Sequence, residues 1–445
     1  MSYTTILNSQ YTVKRQRTPP ARGARSEEEG EAAQNNVVMS AGKRSCPDII
    51  CYLLSVSTYS VRTVVIVGSL CMGDASIGQQ PAMALGARFR APAFWHEPRS
   101  LVSDAALPLA AAYTAASWLR EATAASPVRA AVPVLCVGSV LVGGTGKTPI
   151  ALALAERLTA QASGLRVHFL SRGYGGSARG PLRVLHGEHD STVVGDEPLL
   201  LASRAPTWVG ARRCDSASAA CDAGAELLVM DDGLQHLTLR RDLSLLCVDS
   251  VELLGNARVL PAGPLREPLD RALRKADAVV ALQPFAVACT GDEHEQRLHA
   301  AISDDGVRAA LAMPTSMPLL RAAVVPDPAS AAALRGAHVV AFSGTARPQR
   351  FFAALAALGC TFAQPPLALP DHAPLADEAI NALRDDAHAS GAALVTTRKD
   401  YVRLSAAQQR EAVDVLDIHI EWSTDGATWL DELTRPLLQR AEQRR

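Results

Sequence analysis

The sequence predicts an α/β protein: a parallel sheet of the P-loop NTPase type with helices on both faces, followed by a second, smaller α/β domain. Three observations predict it. From Pro133 onward, short continuous apolar runs alternate with helical segments, the pattern of parallel strands covered on both faces. The glycine-rich stretch Gly138–Thr148 lies between one such run and an amphipathic helix, the setting of a phosphate-binding loop. The 445 residues are enough for two sizeable cores.

The elements follow in order. Residues 1–82 read as an extension, low-complexity or targeting. Within it, 14–48 are rich in Arg, Glu, Gly, Pro and Asn and carry the acidic run Glu27–Glu29, which predicts disorder. Residues 49–72 are apolar and β-branched but include Arg62 and many Ser and Thr residues, which makes them a weak membrane-span candidate; a strand or a translated untranslated-region artefact fits equally well. Met83 opens a stretch of different character and is a candidate natural start. Residues 83–130 form a helical segment in which Arg88, Arg90, Arg99 and Arg120 accompany Phe94, Trp95, Leu101, Leu107, Leu109, Tyr113 and Trp118. Apolar bulk, aromatic anchors and basic flanks suit a helix lying on a membrane surface.

The P-loop domain is expected over 131–318. Its apolar runs are 133–138, 166–171, 226–230, 243–249 and 276–282, with a helix at 148–158 and a linker around 284–318. The second domain is expected over 319–445, with strands at 338–342, 392–397 and 414–420 and a terminal helix. No internal repeat is evident.

Composition narrows the function. The formal net charge of −1 argues against a nucleic-acid binder that relies on a global positive field. Aromatics are 4% of residues, so the cores must be built from Ala, Leu and Val. The nine cysteines are scattered without a CxxC pair, which suggests reduced core thiols rather than a disulfide framework or a zinc site.

The phosphate-binding loop is the strongest chemical signal. Gly143, Gly144 and Gly146 let the backbone wrap closely round a phosphate, with Thr145 between them. The helix that follows aims N–H groups and a positive dipole at the same point. Lys147 can reach the β- and γ-phosphates, and Thr148 can offer a hydroxyl to Mg²⁺. The pattern departs from G-x-x-x-x-G-K-[ST] at its first position, which is Leu141. Asp231 and Asp232 end the apolar run 226–230, where ligands collect in open parallel sheets and where a carboxylate can hold the Mg²⁺ shell.

Taken in order, the motifs resemble the tetraacyldisaccharide 4'-kinase family. They are VGGTGKTP (142–149), SRGYGG (171–176), VGDEPLLLA (194–202), DDGLQH (231–236), RRDLSLLCVD (240–249) and GNARVLPAGPLREP (255–268). AFSGTARPQRFF (341–352), LPDHAPL (369–375) and VTTRKDYVRL (395–404) follow. The resemblance covers about residues 88–435. It implies transfer of the ATP γ-phosphate to the 4'-hydroxyl of a tetraacylated glucosamine disaccharide 1-phosphate, giving lipid IVA. The enzyme would be monotopic, two α/β domains around a cleft, at the cytoplasmic membrane face or at an organelle membrane in a eukaryotic host.

The resemblance also assigns residues. Asp196 falls where a catalytic carboxylate is placed, and His372 matches its histidine partner from the second domain. Asp232 and Asp231 match metal and nucleotide carboxylates, with Glu267 beside them. Arg213, Gln235, His236 and Arg266 match positions lining the cleft, and Ser139 replaces an Asn that the family often carries. The implied partners are ATP, Mg²⁺, the lipid acceptor and a membrane surface, with no nucleic acid and no protein partner. The residues alone support a base of this kind, since a sugar hydroxyl must lose its proton as the phosphoryl group moves. The alternatives are a P-loop switch GTPase or a scaffold ATPase without a lipid acceptor. The first would need a base-reading motif, and Thr397-Arg398-Lys399-Asp400 has its Lys one position late. The second would need a lysine where Val142 stands.

Overall fold

The computed structural model describes residues 51–58, 61–68, 91–98, 100–284, 303–371 and 375–444. Residues 14–48, Met83, Arg88, Arg90, Arg99 and His372, all named above, lie outside them. The chain divides into two compact units, residues 1–85 and 86–445. In the first, β1 (Cys51–Thr58) and β2 (Val61–Gly68) pair antiparallel, so these parts of the β-branched stretch are strand. Among the described residues, no helix is long and apolar enough to cross a membrane.

The second unit is built on two sheets. Among the described residues the larger has nine strands: β3 (Val134–Gly138), β4 (Val167–Ser171), β5 (Leu182–Arg183), β6 (Thr207–Val209), β7 (Leu227–Asp231), β8 (Leu243–Asp249), β9 (Ala278–Gln283), β10 (Leu319–Pro326) and β16 (Ile418–Trp422). Their order is β16-β10-β9-β8-β3-β7-β4-β6-β5. Every pair is parallel except the two at the edges, β16 with β10 and β5 with β6. Strand β3 shows why its sequence is apolar throughout. Leu135 and Val137 pack with Ile150, Leu154 and Leu158 of the helix Lys147–Gln161 on one face. Val134 and Cys136 pack with Ala217 and Ala220 of the helix Arg213–Asp222 on the other.

The smaller sheet comprises β11 (His338–Ser343), β12 (Thr361–Phe362), β13 (Leu367–Ala368), β14 (Ala393–Thr397) and β15 (Asp414–Leu416), all parallel. Here too β11 alternates: Val339 and Ala341 meet Phe351 and Leu355, whereas Val340 and Phe342 meet Ile380 and Leu383.

The expected boundary at 318/319 does not follow the sheets. Strands β10 and β16 belong to the larger one, and the terminal helix Thr424–Glu442 packs Leu430 and Leu437 into the core of the P-loop helix. A bidentate Arg157–Asp431 pair fastens it there. The run 414–420, expected as one strand, is two strands in two sheets. Asp417 between them is gripped by Arg398 and accepts at its carbonyl from Asp327 N–H (2.8 Å). The chain therefore leaves the large sheet after β10 and returns before β16 at one place, where the two crossing segments are hydrogen-bonded to each other.

The N-terminal helices Leu101–Ala105 and Leu107–Ala122 are tied to this unit through Ser103, which donates to the Ala262 carbonyl and accepts from Asn256 and Arg258. Trp95, expected at a membrane interface, is instead buried, and its Nε1–H donates to the Pro261 carbonyl (3.1 Å). Leu101, Val102, Leu107, Leu109, Trp118 and Leu119 do face outward.

On β4, His168 is 4% exposed and accepts from Trp208 Nε1–H at Nδ1 (3.3 Å). Burial, with Arg183 and Arg166 nearby, pushes its pKa down to about 4. The unfolded chain takes up this proton near pH 6.5 and the folded one does not. Stability should therefore fall as pH drops from about 6.5 toward 4, by up to about 3 kcal/mol. Urea unfolding at pH 7 and 4.5 checks this: the acid-side loss should shrink in His168→Gln, and an equal loss in both proteins would overturn it.

Candidate active site

The loop 139–146 joins β3 to the helix Lys147–Gln161 at the centre of the large sheet. Gly146 has φ +76°, which favours glycine, and a Cβ there would lie 2.1 Å from Leu282 Cδ2, so that side-chain end would have to move. Leu141, the departure from the usual pattern, has no positive φ to satisfy. Its side chain is 5% exposed among Leu234, Leu246 and Leu265, and its N–H donates to Ser139 Oγ (3.0 Å). The loop thus starts from a hydrophobic anchor instead of a glycine.

Lys147 Nζ folds over the loop, donating to the Gly143 carbonyl (3.3 Å) and lying 3.8 Å from Asp232 Oδ1. Thr148 Oγ1–H donates to Asp231 Oδ2 (2.9 Å) across from the end of β7. Asp231 is 3% exposed, and its Oδ1 has no hydrogen-bond partner. Burial, and then the charge of Asp232, push its pKa up to about 7. A buried carboxylate short of one partner, beside a hydroxyl at the phosphate loop, suits a Mg²⁺ shell with a nucleotide.

Asp232 adopts φ +52°, uncommon for a side-chain-bearing residue, and its carboxylate receives both bonds from Arg266 Nη1 (2.8 and 2.9 Å). Burial opposes its charge, but Lys147 and Arg266 outweigh it and hold the carboxyl below the usual range. Glu267, expected among the metal carboxylates, has a protein partner on each oxygen. It is 2% exposed, with one oxygen accepting from Gln235 Nε2 (3.0 Å) and the other paired with Lys275. Gln235 also accepts from Arg266 (3.3 Å), so it spaces the two pairs. Lys275 in turn meets Glu121 on the N-terminal helix.

Arg213 is buried, donates to the Gly210 carbonyl (2.8 Å) and leaves its Nε without a hydrogen-bond partner. Burial, then Arg172, bring its pKa down to about 10. His236 is half-buried against Thr238 (2.9 Å), and burial with the charge of Arg213 lowers it to about 4, so the ring is neutral.

Asp196 begins the helix Asp196–Ala202 and is 5% exposed. Gly195 before it has φ +89°, with Tyr174 of SRGYGG so close that a Cβ would sit 2.4 Å from its carbonyl oxygen. Two sets of ion pairs join the sheets beside the site. Arg347 and Arg350 from the smaller-sheet side grip Asp249 and Glu252 at the end of β8. Lys399 meets Glu197 (3.1 Å) and Asp371 (3.2 Å), and Arg403 meets Asp196 (3.3 Å). The quoted motifs contained Arg347, Arg350, Lys399 and Arg403 without assigning them a role; Lys275 and Glu121 gave no sequence signal. One open cleft is lined by the P-loop, Asp231, Asp232, Asp196, Arg213, His236 and Arg266, and continues to Tyr113 and Arg120 of the N-terminal helix.

A phosphate loop at the middle of a parallel sheet, with its threonine bonded to the carboxylate of the next strand, places the chain among the P-loop nucleotide enzymes, and the cleft beside it has room for an acceptor. Known proteins narrow the class: a family model described as tetraacyldisaccharide-1-P 4'-kinase (LpxK) matches residues 103–435. The chain belongs to this family. It is 44% identical over 357 residues to the tetraacyldisaccharide 4'-kinase of Rhodospirillum centenum, covering 78% of this chain and 97% of that protein. To the protein of the same name from Paramagnetospirillum magneticum it is 44% identical, covering 75% and 94%. Among solved structures, the LpxK of Aquifex aeolicus in complex with ATP is similar with a TM-score of 0.57 at 25% identity, covering 76% of this chain and all of that one.

Proposed function

We propose that the protein transfers the γ-phosphoryl group of ATP to the 4'-hydroxyl of a tetraacyldisaccharide 1-phosphate, giving the bisphosphorylated lipid A precursor. The observation that carries this is the Thr148–Asp231 pair beside the P-loop, in a cleft that runs on past Asp196 to the N-terminal helix. Loop N–H groups and Lys147 bind the triphosphate and hold its γ-phosphate in line. Thr148 and Asp231 would hold Mg²⁺, which neutralises charge developing on the phosphates. Asp196, with His372, takes the proton of the acceptor hydroxyl; that oxygen bonds to the γ-phosphorus as the bond to the ADP oxygen breaks. Arg213, His236 and Arg266 line the space for the acceptor, and the Glu267–Gln235 pair keeps Arg266 on Asp232.

The acceptor is a lipid, and the protein meets it as a peripheral enzyme on the cytoplasmic membrane face. The outward Leu101, Leu107, Leu109, Trp118 and Leu119 support this reading, since such apolar groups on a helix suit an interface. Incubation with γ-labelled ATP, Mg²⁺ and tetraacyldisaccharide 1-phosphate in mixed micelles tests the reaction. Label should appear in a bisphosphorylated lipid; ATP hydrolysis that ignores the lipid, with none labelled, would overturn the reading.

A further inference from the structure

The string VTTRKDYVRL has no part in the chemistry described so far, yet its side chains reach the GDEP carboxylates. Its helix Arg398–Tyr401 lies against the helix Asp196–Ala202, and Val402 joins the small core of Val184, Val194, Leu199 and Val209. Arg403 is 3% exposed at its side chain. Its Nε is 3.3 Å from Asp196 Oδ2 and its Nη1 2.9 Å from Asp400 Oδ1. Asp400 is wholly buried, and its other oxygen accepts from Gly344 N–H (3.0 Å) and Thr397 Oγ1–H (2.8 Å). Three separated motifs, SGTARP, TTRKDYVR and GDEP, thereby converge on one guanidinium.

We infer that Arg403 is a positioning residue for the phosphoryl transfer: seated by Asp400, it keeps the Asp196 carboxylate charged and aimed, and so makes the base depend on the smaller-sheet domain being in place. This rests on Asp196 being the base. The physical need is specific. Asp196 is 5% exposed, and a buried carboxylate is costly to charge unless a cation lies against it. Among the described residues, Arg403 and Asp400 lie on one side of Asp196, with Glu197 beside it and Lys399 shared between Glu197 and Asp371; His372, proposed as its partner, is the further titratable group. Arg403 contacts the Asp196 carboxylate directly. A base positioned by the second domain also protects ATP from hydrolysis while the cleft is open.

The test uses the full chain with Mg²⁺-ATP and micellar tetraacyldisaccharide 1-phosphate, following kcat and the KM for ATP from pH 5 to 9.5. Arg403→Gln should lower kcat, leave the ATP KM within about twofold, and move the acid limb of the profile upward by about one to three pH units, the effect of removing an adjacent cation. Arg403→Lys, which keeps the charge, should hold the limb near its original position. In an Asp196→Asn background, Arg403→Gln should cost little more, because the two act as one unit. An unmoved acid limb in Arg403→Gln, or single losses that multiply, would reduce Arg403 to a structural tie. Wild-type turnover in Asp196→Asn would instead remove the base reading itself and the inference with it. Should Arg403→Gln fail to fold, Arg403→Lys decides: reduced kcat with the limb in place supports the inference, and a limb displaced as far as expected for a lost charge overturns it.

Discussion

Lys147→Ala should cut turnover by about 10²–10³-fold or more while the protein stays folded, because a preorganised cation on the transferring phosphoryl group supplies much of the transition-state stabilisation in such reactions. The fold has little stake in this side chain. Its contacts are the Gly143 carbonyl, Thr145 Oγ1 and a 3.8 Å pair with Asp232. The helix it begins is held by Ile150, Leu154 and Leu158 against β3 and by Arg157 against Asp431. Asp232 keeps Arg266 as a partner, so no carboxylate is left unpaired. Product formation from labelled ATP, together with a thermal melt, checks both halves. Near-normal turnover in a folded Lys147→Ala protein would remove the P-loop from the mechanism.

Asp196→Asn and His372→Ala should each lower turnover by about 10²–10⁴-fold, the range for loss of general-base assistance, with ATP affinity little changed because Lys147 and the loop amides carry nucleotide binding. The two residues are 176 positions apart. Asp196 begins a helix beside the large sheet, and His372 lies in the LPDH string next to Asp371, whose carboxylate meets Lys399 (3.2 Å), the residue also paired with Glu197. The double variant should be far less impaired than the product of the single losses, since residues acting as one unit are non-additive. Single-turnover rates that multiply independently, or wild-type turnover in His372→Ala, would show that the pair is not a catalytic unit.

How much of this is legible in the chain depends on distance along it. The nucleotide half is local. Strand, glycine loop, helix and the aspartates at the end of β7 announce themselves because each needs a particular residue type at a short fixed spacing: apolar runs for strands covered on both faces, glycine where φ is positive, Lys-Thr at the helix start. The residues by themselves establish the α/β class and the phosphate loop, and the motifs establish the family. What the sequence misplaced depends on contacts between distant segments. Strands β10 and β16 and the terminal helix belong to the large sheet through a hydrophobic face that any apolar run could have offered. Trp95 is buried with its N–H on the Pro261 carbonyl, and Glu267 is held by Gln235 and Lys275, contacts that no local pattern signals. Leu141 reads as a defect in a motif until Leu234, Leu246 and Leu265 surround it. Ion pairing is the extreme case. A charge in a sequence is solvated by default, and only the tertiary structure decides that Arg403 meets Asp196 instead of water, because burial of both makes pairing the one low-energy arrangement open to them.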